Sequence, residues 1–357
     1  MFMRFTVLFC VTVFFIMVCY ANPEEQPCIR EIFSIRIDSN QHETIYSLVH
    51  DSINDSAVVY KSLDAGEIWR SISSVGGWVG NIVINPKDSQ IIYHSGGKSI
   101  NGGNTWDRIQ LGPTIIHPQD TAIMYAVVAS HNGGIRKSID GGYTWTDLKG
   151  NWKRCRAITL ALRNPNILYA YCEGGASPGI FKSTNAGVDW NIVLPATGIW
   201  NLAVDPNNSE IVYAGTRFHG VYRSIDGGKK WNPANHGLPK GLSAYPPLDA
   251  ETQDIIKSGV STYESISRLV IDPIRSNILY VGTDSGVFKS IDRGANWLVI
   301  NKGLPKSSVS TLAISPKNSN IIYAGTRSAG IFKSIDGGEN WVPASEGIAC
   351  GQPINIW

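Results

Sequence analysis

An all-β fold, a single ring of seven four-stranded antiparallel blades, is what this 357-residue sequence predicts, on three observations. First, a nine-residue phrase recurs seven times: KSLDAGEIW (61–69), KSINGGNTW (98–106), KSIDGGYTW (137–145), KSTNAGVDW (182–190), RSIDGGKKW (223–231), KSIDRGANW (289–297) and KSIDGGENW (333–341). All reduce to (Lys/Arg)-Ser-x-(Asp/Asn)-x-Gly-x-x-Trp. Second, three short segments rich in β-branched and aromatic residues precede each phrase, and a fourth starts at its Trp, the signature of four strands joined by turns. Third, units of this kind cannot bury both faces alone, so they stack into a β-propeller.

Taken in order, the chain begins with Arg4, an apolar run from Phe5 to Val18, and small residues at Cys19 and Ala21. This reads as a secretory signal peptide over 1–21, with an uncleaved N-terminal anchor as the alternative. A tail (22–30) and one propeller (31–357) follow. Within each unit the first segment alternates and ends in Asp-Pro or a relative, as in LAVDP (202–206), LVIDP (269–273) and LAISP (312–316). The second carries a tyrosine: Tyr46, Tyr93, Tyr125, Tyr169, Tyr213, Tyr280 or Tyr323. The third reads Gly-(Ile/Val)-(Phe/Tyr)-(Lys/Arg)-Ser in Gly179–Ser183, Gly220–Ser224, Gly286–Ser290 and Gly330–Ser334. One unit is longer than the rest by the insertion KGLSAYPPLDAETQDIIKSGVS at about 240–261. Within it Asp249 caps an expected short helix through Lys257, with Gly259 ending it.

The repeated phrase has a structural purpose. Asp64, Asn101, Asp140, Asn185, Asp226, Asp292 and Asp336 are placed to accept backbone N–H bonds in a turn between the third and fourth strands. The serine hydroxyl adds a further bond, and Gly takes a positive-φ position. Trp69, Trp106, Trp145, Trp190, Trp231, Trp297 and Trp341 anchor these turns by burial.

Composition excludes some partners. A net charge of +2 with 17% charged residues gives no electrostatic footprint for nucleic acid. No polybasic run points to a membrane surface beyond the leader. After a leader ending at Ala21, four cysteines remain, Cys28, Cys155, Cys172 and Cys350. In an exported chain they suggest two disulfides, with three possible connectivities. We expect Cys28–Cys350, joining the two ends of the ring, and Cys155–Cys172, across one hairpin. No cysteine or histidine spacing fits a zinc site, and no metal or cofactor is expected. A secreted or periplasmic monomer is the reading.

The phrase resembles the Asp-box, or BNR repeat, of sialidases, xyloglucanase-type glycoside hydrolases, sortilin-type receptors and the photosystem II assembly factor. The resemblance covers about residues 31–345. GLP at 237–239 and 303–305 and YAGT at 213–216 and 323–326 look most like the xyloglucanase and sortilin style. It implies the fold; these families differ in chemistry. The sialidase-type (Phe/Tyr)-Arg-Ile-Pro is replaced by Ile35-Arg36-Ile37-Asp38. Similar xyloglucanases place one aspartate on each of two propellers, whereas these residues encode one. The assembly factor, also seven-bladed, carries a surface marked by arginines, to which Arg217 and Arg327 would correspond.

Ligand sites of propellers usually lie on the face opposite the boxes. Trp78, Trp152 and Trp200 fall at or just before innermost strands and are candidates for stacking on a sugar or peptide, or for packing between blades. Loops between second and third strands supply His50, Asp51, His131, Asn132, Glu173, Arg217, Phe218, His219, Asp284 and Arg327. Arg217, Asp284 and Arg327 follow Gly-Thr at the same repeat position, a row suited to gripping carboxylate or hydroxyl groups. The loop KGNWKRCR (149–156) sets Arg154 beside Trp152. The function expected is a non-catalytic binding or scaffold propeller for a protein or glycan. A glycoside hydrolase is the alternative; it needs paired carboxyl groups, for which Asp284, Glu173, Asp51, Glu264 and Asp254 are available. An assembly factor for a membrane or exported complex is a third.

Overall fold

The computed structural model describes residues 30–51, 56–76, 80–128, 133–150, 152, 154–173, 177–241 and 263–348. Cys28, Cys350 and the insertion's expected helix lie outside them. Seven four-stranded sheets, each paired in simple sequence order and antiparallel throughout, form the blades. Their innermost strands are Arg30–Ile37, Val83–Asn85, Ile115–Ile116, Arg154–Ala161, Ile199–Val204, Arg268–Ile271 and Val309–Ile314. The described residues contain no helix. Apolar clusters fill the spaces between blades, and each draws side chains from two neighbours, as where Tyr323 and Ile331 meet Ile32, Ile35 and Trp69.

All seven boxes build the same turn. The serine hydroxyl donates to the Asp or Asn Oδ1 at 2.6–3.0 Å. It also accepts the N–H of the glycine at the sixth position at 2.8–2.9 Å. The same Oδ1 accepts the N–H of the eighth residue at 2.9–3.0 Å. Two successive residues lie in the left-handed region, φ 56–76° at the fifth position and 82–94° at the sixth. The sixth is always glycine; at the fifth, Ala65, Ala186 and Arg293 accept a conformation that side chains disfavour.

That backbone turns the fifth-position carbonyl toward the preceding blade, where a tyrosine and a lysine meet it. Tyr125 Oη and Lys137 Nζ donate to Ala186 O at 3.0 and 3.1 Å. Tyr280 and Lys289 hold Gly337 O at 3.3 and 2.9 Å, and Tyr213 and Arg223 hold Arg293 O at 3.3 and 2.8 Å. Tyr169 departs, donating to Ser209 O at 3.3 Å while Lys182 alone reaches Gly227 O at 2.9 Å. The tyrosines that mark the second strands thus carry the blade-to-blade bonds.

The ring closes by the same device. Tyr323 of the last blade donates to Ala65 O of the first at 2.6 Å. Ser310 adds a bond to Ile32 O at 2.6 Å. Trp69 donates through its backbone to Glu346 O and through Nε1 to Ala344 O, both at 2.8 Å. Trp297 and Trp341 make the matching pairs, to His236 and Ala234 and to Lys302 and Ile300. Gly237, Gly303 and Gly347 lie so close under these tryptophans that an added Cβ would stand 2.1 Å from a Trp carbonyl oxygen. The two GLP phrases are therefore docking pads for the next blade's box. Trp106, Trp145, Trp190 and Trp231 instead donate to the glycine of their own box at 3.0–3.1 Å and are only partly buried. Cys155 and Cys172 face each other across the first hairpin of blade 4 and form a disulfide.

Three expectations follow. Trp297→Ala or Trp341→Ala should cost about 3–5 kcal/mol in chemical denaturation, and Trp145→Ala distinctly less than about 3 kcal/mol; equal losses would contradict the two anchoring modes. Tyr323→Phe and Tyr280→Phe should each cost about 1 kcal/mol; a negligible cost at Tyr323 alone would mean that other contacts close the seam. The third concerns acid. Asp140 is held down at about 2 by the Thr144 hydroxyl, the Thr144 N–H and the Ser138 hydroxyl. Asp336 is held at about 2 in the same way by Asn340 and Ser334. A folded pKa below the ordinary value, about 3.9, contributes stability that is present above that value and is lost as pH falls toward 2. Thermal midpoints should therefore be insensitive to these groups at neutral pH and drop between about pH 4 and 2. Asp140→Asn should narrow that drop, and an unchanged acid profile would exclude the box carboxylates as its source.

Candidate functional site

Strand order places the boxes and the first-to-second-strand turns at one end of the ring. The second-to-third-strand loops and the links between blades share the other. On that opposite face, innermost strands carry bulges: pairing skips a residue between Ile32 and Ser34, Cys155 and Ala157, Ile199 and Asn201, and Val309 and Thr311. The residues left out of register are Phe33, Arg156, Trp200 and Ser310. A bulge re-aims its side chain away from the sheet.

The consequence is clearest at Trp200, which is 38% exposed although it belongs to an innermost strand. The Arg217 guanidinium lies 5.8 Å from the Trp200 ring centre and 4.9 Å from that of Phe218. The loop bearing them is fixed. Arg217 N–H donates to Gly198 O at 2.9 Å, Thr216 Oγ1 to Gly220 O at 2.9 Å, and His219 N–H to Thr216 Oγ1 at 2.8 Å. Asn235 Nδ2 ties down the His219 carbonyl at 2.9 Å. The base of the insertion docks here as well: Tyr263 N–H donates to Phe218 O at 2.8 Å, and Lys240 bridges to Tyr263.

The carboxylates divide into two groups. Glu173 receives Arg156 Nε at 3.0 Å and the Tyr171 hydroxyl at 3.2 Å, with Arg154 Nη1 at 3.9 Å. Burial pushes the Tyr171 hydroxyl up to about 12, with the Glu173 charge adding to it. Glu264 and Asp284 bond different serines, Glu264 the one next to Asp284 in sequence. Glu264 Oε2 accepts the Ser285 N–H at 2.9 Å and its hydroxyl at 2.7 Å, while Asp284 Oδ1 accepts the Ser308 hydroxyl at 2.9 Å.

The Arg217–Asp284–Arg327 row is spread over different partners, since Arg327 pairs with Glu31 at 3.4 Å. Trp152 packs edge-on against Phe181 and Trp190, 5.7 and 5.5 Å between ring centres, at the junction of blades 3 and 4. Trp78, His131, Asn132, Asp254 and the side chain of Asp51 lie outside the described residues. Among the described residues no cluster of His, Cys, Asp and Glu is placed to hold a metal ion. No helix among them is long and apolar enough to cross a membrane.

Sequence reasoning passed over Phe33, which lies 5.2 Å from the His50 ring, and Tyr171, which also accepts the Gly198 N–H at 3.0 Å. The bulges gave no sequence signal, because one skipped residue looks like ordinary strand alternation. Tyr171 was detectable as a second aromatic two residues beyond the repeat tyrosine Tyr169.

Fold and boxes define the class: a seven-bladed β-propeller of four-stranded antiparallel blades. No protein-family model matches the chain. It is 30% identical over 141 residues to xyloglucanase Xgh74A of Acetivibrio thermocellus, covering 36% of this chain and 16% of that enzyme. The GH74 xyloglucanase from Xanthomonas campestris has a similar structure, with TM-score 0.66 at 14% identity over 89% of this chain and 55% of that one. YCF48 bound to D1 peptide has TM-score 0.57 at 13% identity, over 87% of this chain and 94% of that one. The chain thus spans a small part of the curated xyloglucanase and about half of the Xanthomonas one. At these identities the structural likeness establishes the propeller fold.

Proposed function

We propose that this chain is an exported, non-catalytic binding propeller that recognises a glycan or protein on the face opposite its boxes. The observation that carries the reading is the Trp200–Arg217–Phe218 group, an exposed aromatic plane beside a guanidinium on a braced loop. A preorganised aromatic loses little side-chain entropy on binding and stacks on a sugar ring or an apolar side chain. Arg217 adds donors for hydroxyl or carboxylate groups. Export rests on the 1–21 leader and on the Cys155–Cys172 disulfide, which suits an oxidising compartment. An assembly factor is a narrower form of the same reading, supported by the likeness to YCF48.

A glycoside hydrolase is the second reading, favoured by the bond of Glu264 to Ser285, the residue after Asp284, and by the xyloglucanase likeness. One assay separates the two: a panel of oligosaccharides scored for binding and for release of reducing ends. Binding without release, weakened at least tenfold by Trp200→Ala or Arg217→Ala (about 1.4 kcal/mol or more), is the expected outcome. Release that disappears in Asp284→Asn or Glu264→Gln would replace the binding reading with the hydrolase. Saccharide binding that survives the Trp200→Ala/Arg217→Ala double substitution would remove this cluster from the site.

A further inference from the structure

The central channel encloses about 590 Å³ and is lined by the innermost strands of all seven blades. Its wall is mainly aliphatic, with Ile35, Ile84, Ile115, Leu160, Leu202 and Val270 among the contributors. Two charged residues stand in it, Arg36 and Arg268, and the lining holds no acidic residue. Blades 1 and 6 supply them, and only blade 7 comes between, so both charges enter from one side of the ring.

Among the described residues neither guanidinium meets a carboxylate. Arg36 donates to two neutral oxygens, Ile35 O at 2.9 Å and Asn81 Oδ1 at 3.3 Å. The Nε of Arg268 is buried and has no acceptor. The aspartates at the ends of their strands bond neither guanidinium, and Asp38 Oδ2 is itself buried without a partner. Asp38 Oδ1 takes the N–H groups of Asn40 and Gln41 and the Ser89 hydroxyl. Asp272 takes the N–H groups of Ile274 and Arg275 and the Ser319 hydroxyl, and its charge is balanced by Arg275 Nε at 3.2 Å.

Two like charges on one apolar channel wall are unfavourable through repulsion and, since both side chains remain half-buried in an open bore, through partial desolvation. Burial first, and the Arg268 charge second, bring Arg36 down to about 9. Burial lowers Arg268 too. A water-filled channel lessens the desolvation but supplies no opposite charge. An anion relieves both terms and gives the Arg268 Nε an acceptor. Charge-assisted bonds from two planar guanidinium groups suit a carboxylate or phosphate head, and the aliphatic wall suits an apolar body behind it. The volume falls within the range of small-molecule sites.

We propose that Arg36 and Arg268 form an anion-binding site inside the channel, which takes a small carboxylate or phosphate ester with an apolar chain. The site is separate from the surface reading above and stands or falls independently of it.

The test is titration calorimetry on the full chain with hexanoate and hexyl phosphate, with sodium chloride at equal ionic strength as the reference. Saturable binding of one or both is expected, and the tighter of the two identifies the head group. Arg36→Gln and Arg268→Gln should each weaken it at least tenfold, and together abolish it. With the repulsion gone, both Gln variants should unfold at or above the wild-type temperature in the absence of anion. Arg36→Lys and Arg268→Lys, which keep the charge and lose the planar fork, should show a graded loss; they carry the test if a Gln variant fails to fold. No binding above the chloride reference would overturn the proposal, as would equal affinity in the double Gln variant or in the Lys variants.

Discussion

The architecture depends on one recurring contact: a carbonyl that a box presents to the blade before it. Two successive left-handed residues at the turn leave the fifth-position oxygen pointing out of its own blade. A second-strand tyrosine and the box lysine or arginine of the neighbour converge on it. The lysine also lies over the tyrosine ring, 5.4–5.8 Å from its centre in six of the blades. The phrase is thus half of a joint, and its other half lies in the preceding repeat. A turn residue that pinned only its own hairpin would explain the Asp and Ser, but not the lysine that opens the phrase.

Closure follows from the same joint. A ring whose last blade meets its first through the contact used elsewhere needs no exchanged strand, and Tyr323 on Ala65 O supplies that contact. Trp69 seated over Gly347 repeats the docking of Trp297 on Gly237 and Trp341 on Gly303. The deeply buried tryptophans therefore join blades 5, 6, 7 and 1 into an arc that includes the seam. The remaining boxes close on themselves, and their tryptophans remain partly exposed. Packing across the seam is the same in kind as packing within the ring, which makes it a rigid platform for loops on the other face.

On that face the strand bulges set the chemistry. Phe33, Arg156, Trp200 and Ser310 occupy one structural position in four blades, and each does something different. Arg156 secures Glu173, Ser310 stitches the seam, and Trp200 stands in solvent beside Arg217 and Phe218. One backbone device therefore presents a variable side chain at the mouth, which is how a repeat protein acquires a specific surface. The channel beneath is different in character: an apolar bore with two arginines and no acid.

Much of this was legible in the residues. Seven in-register phrases with period-two segments between them dictate seven four-stranded blades, because no other stacking buries both faces of such a unit. The local turn was also legible, since Ser, Asp and Gly act within nine residues of chain. The Cys155–Cys172 bridge followed from a hairpin that sets those residues opposite each other. What a side chain meets across a blade boundary was not legible. Trp152 and Trp200 looked alike in sequence, yet one packs against Phe181 and Trp190 while the other is pushed outward by a bulge. Arg36 was read only as part of a failed motif, and no motif marks Arg268. Their shared channel exists only once blades 1 and 6 are brought to one axis. Sequence determines the repeat because its bonds are local; the tertiary ring decides the site because its neighbours come from distant repeats.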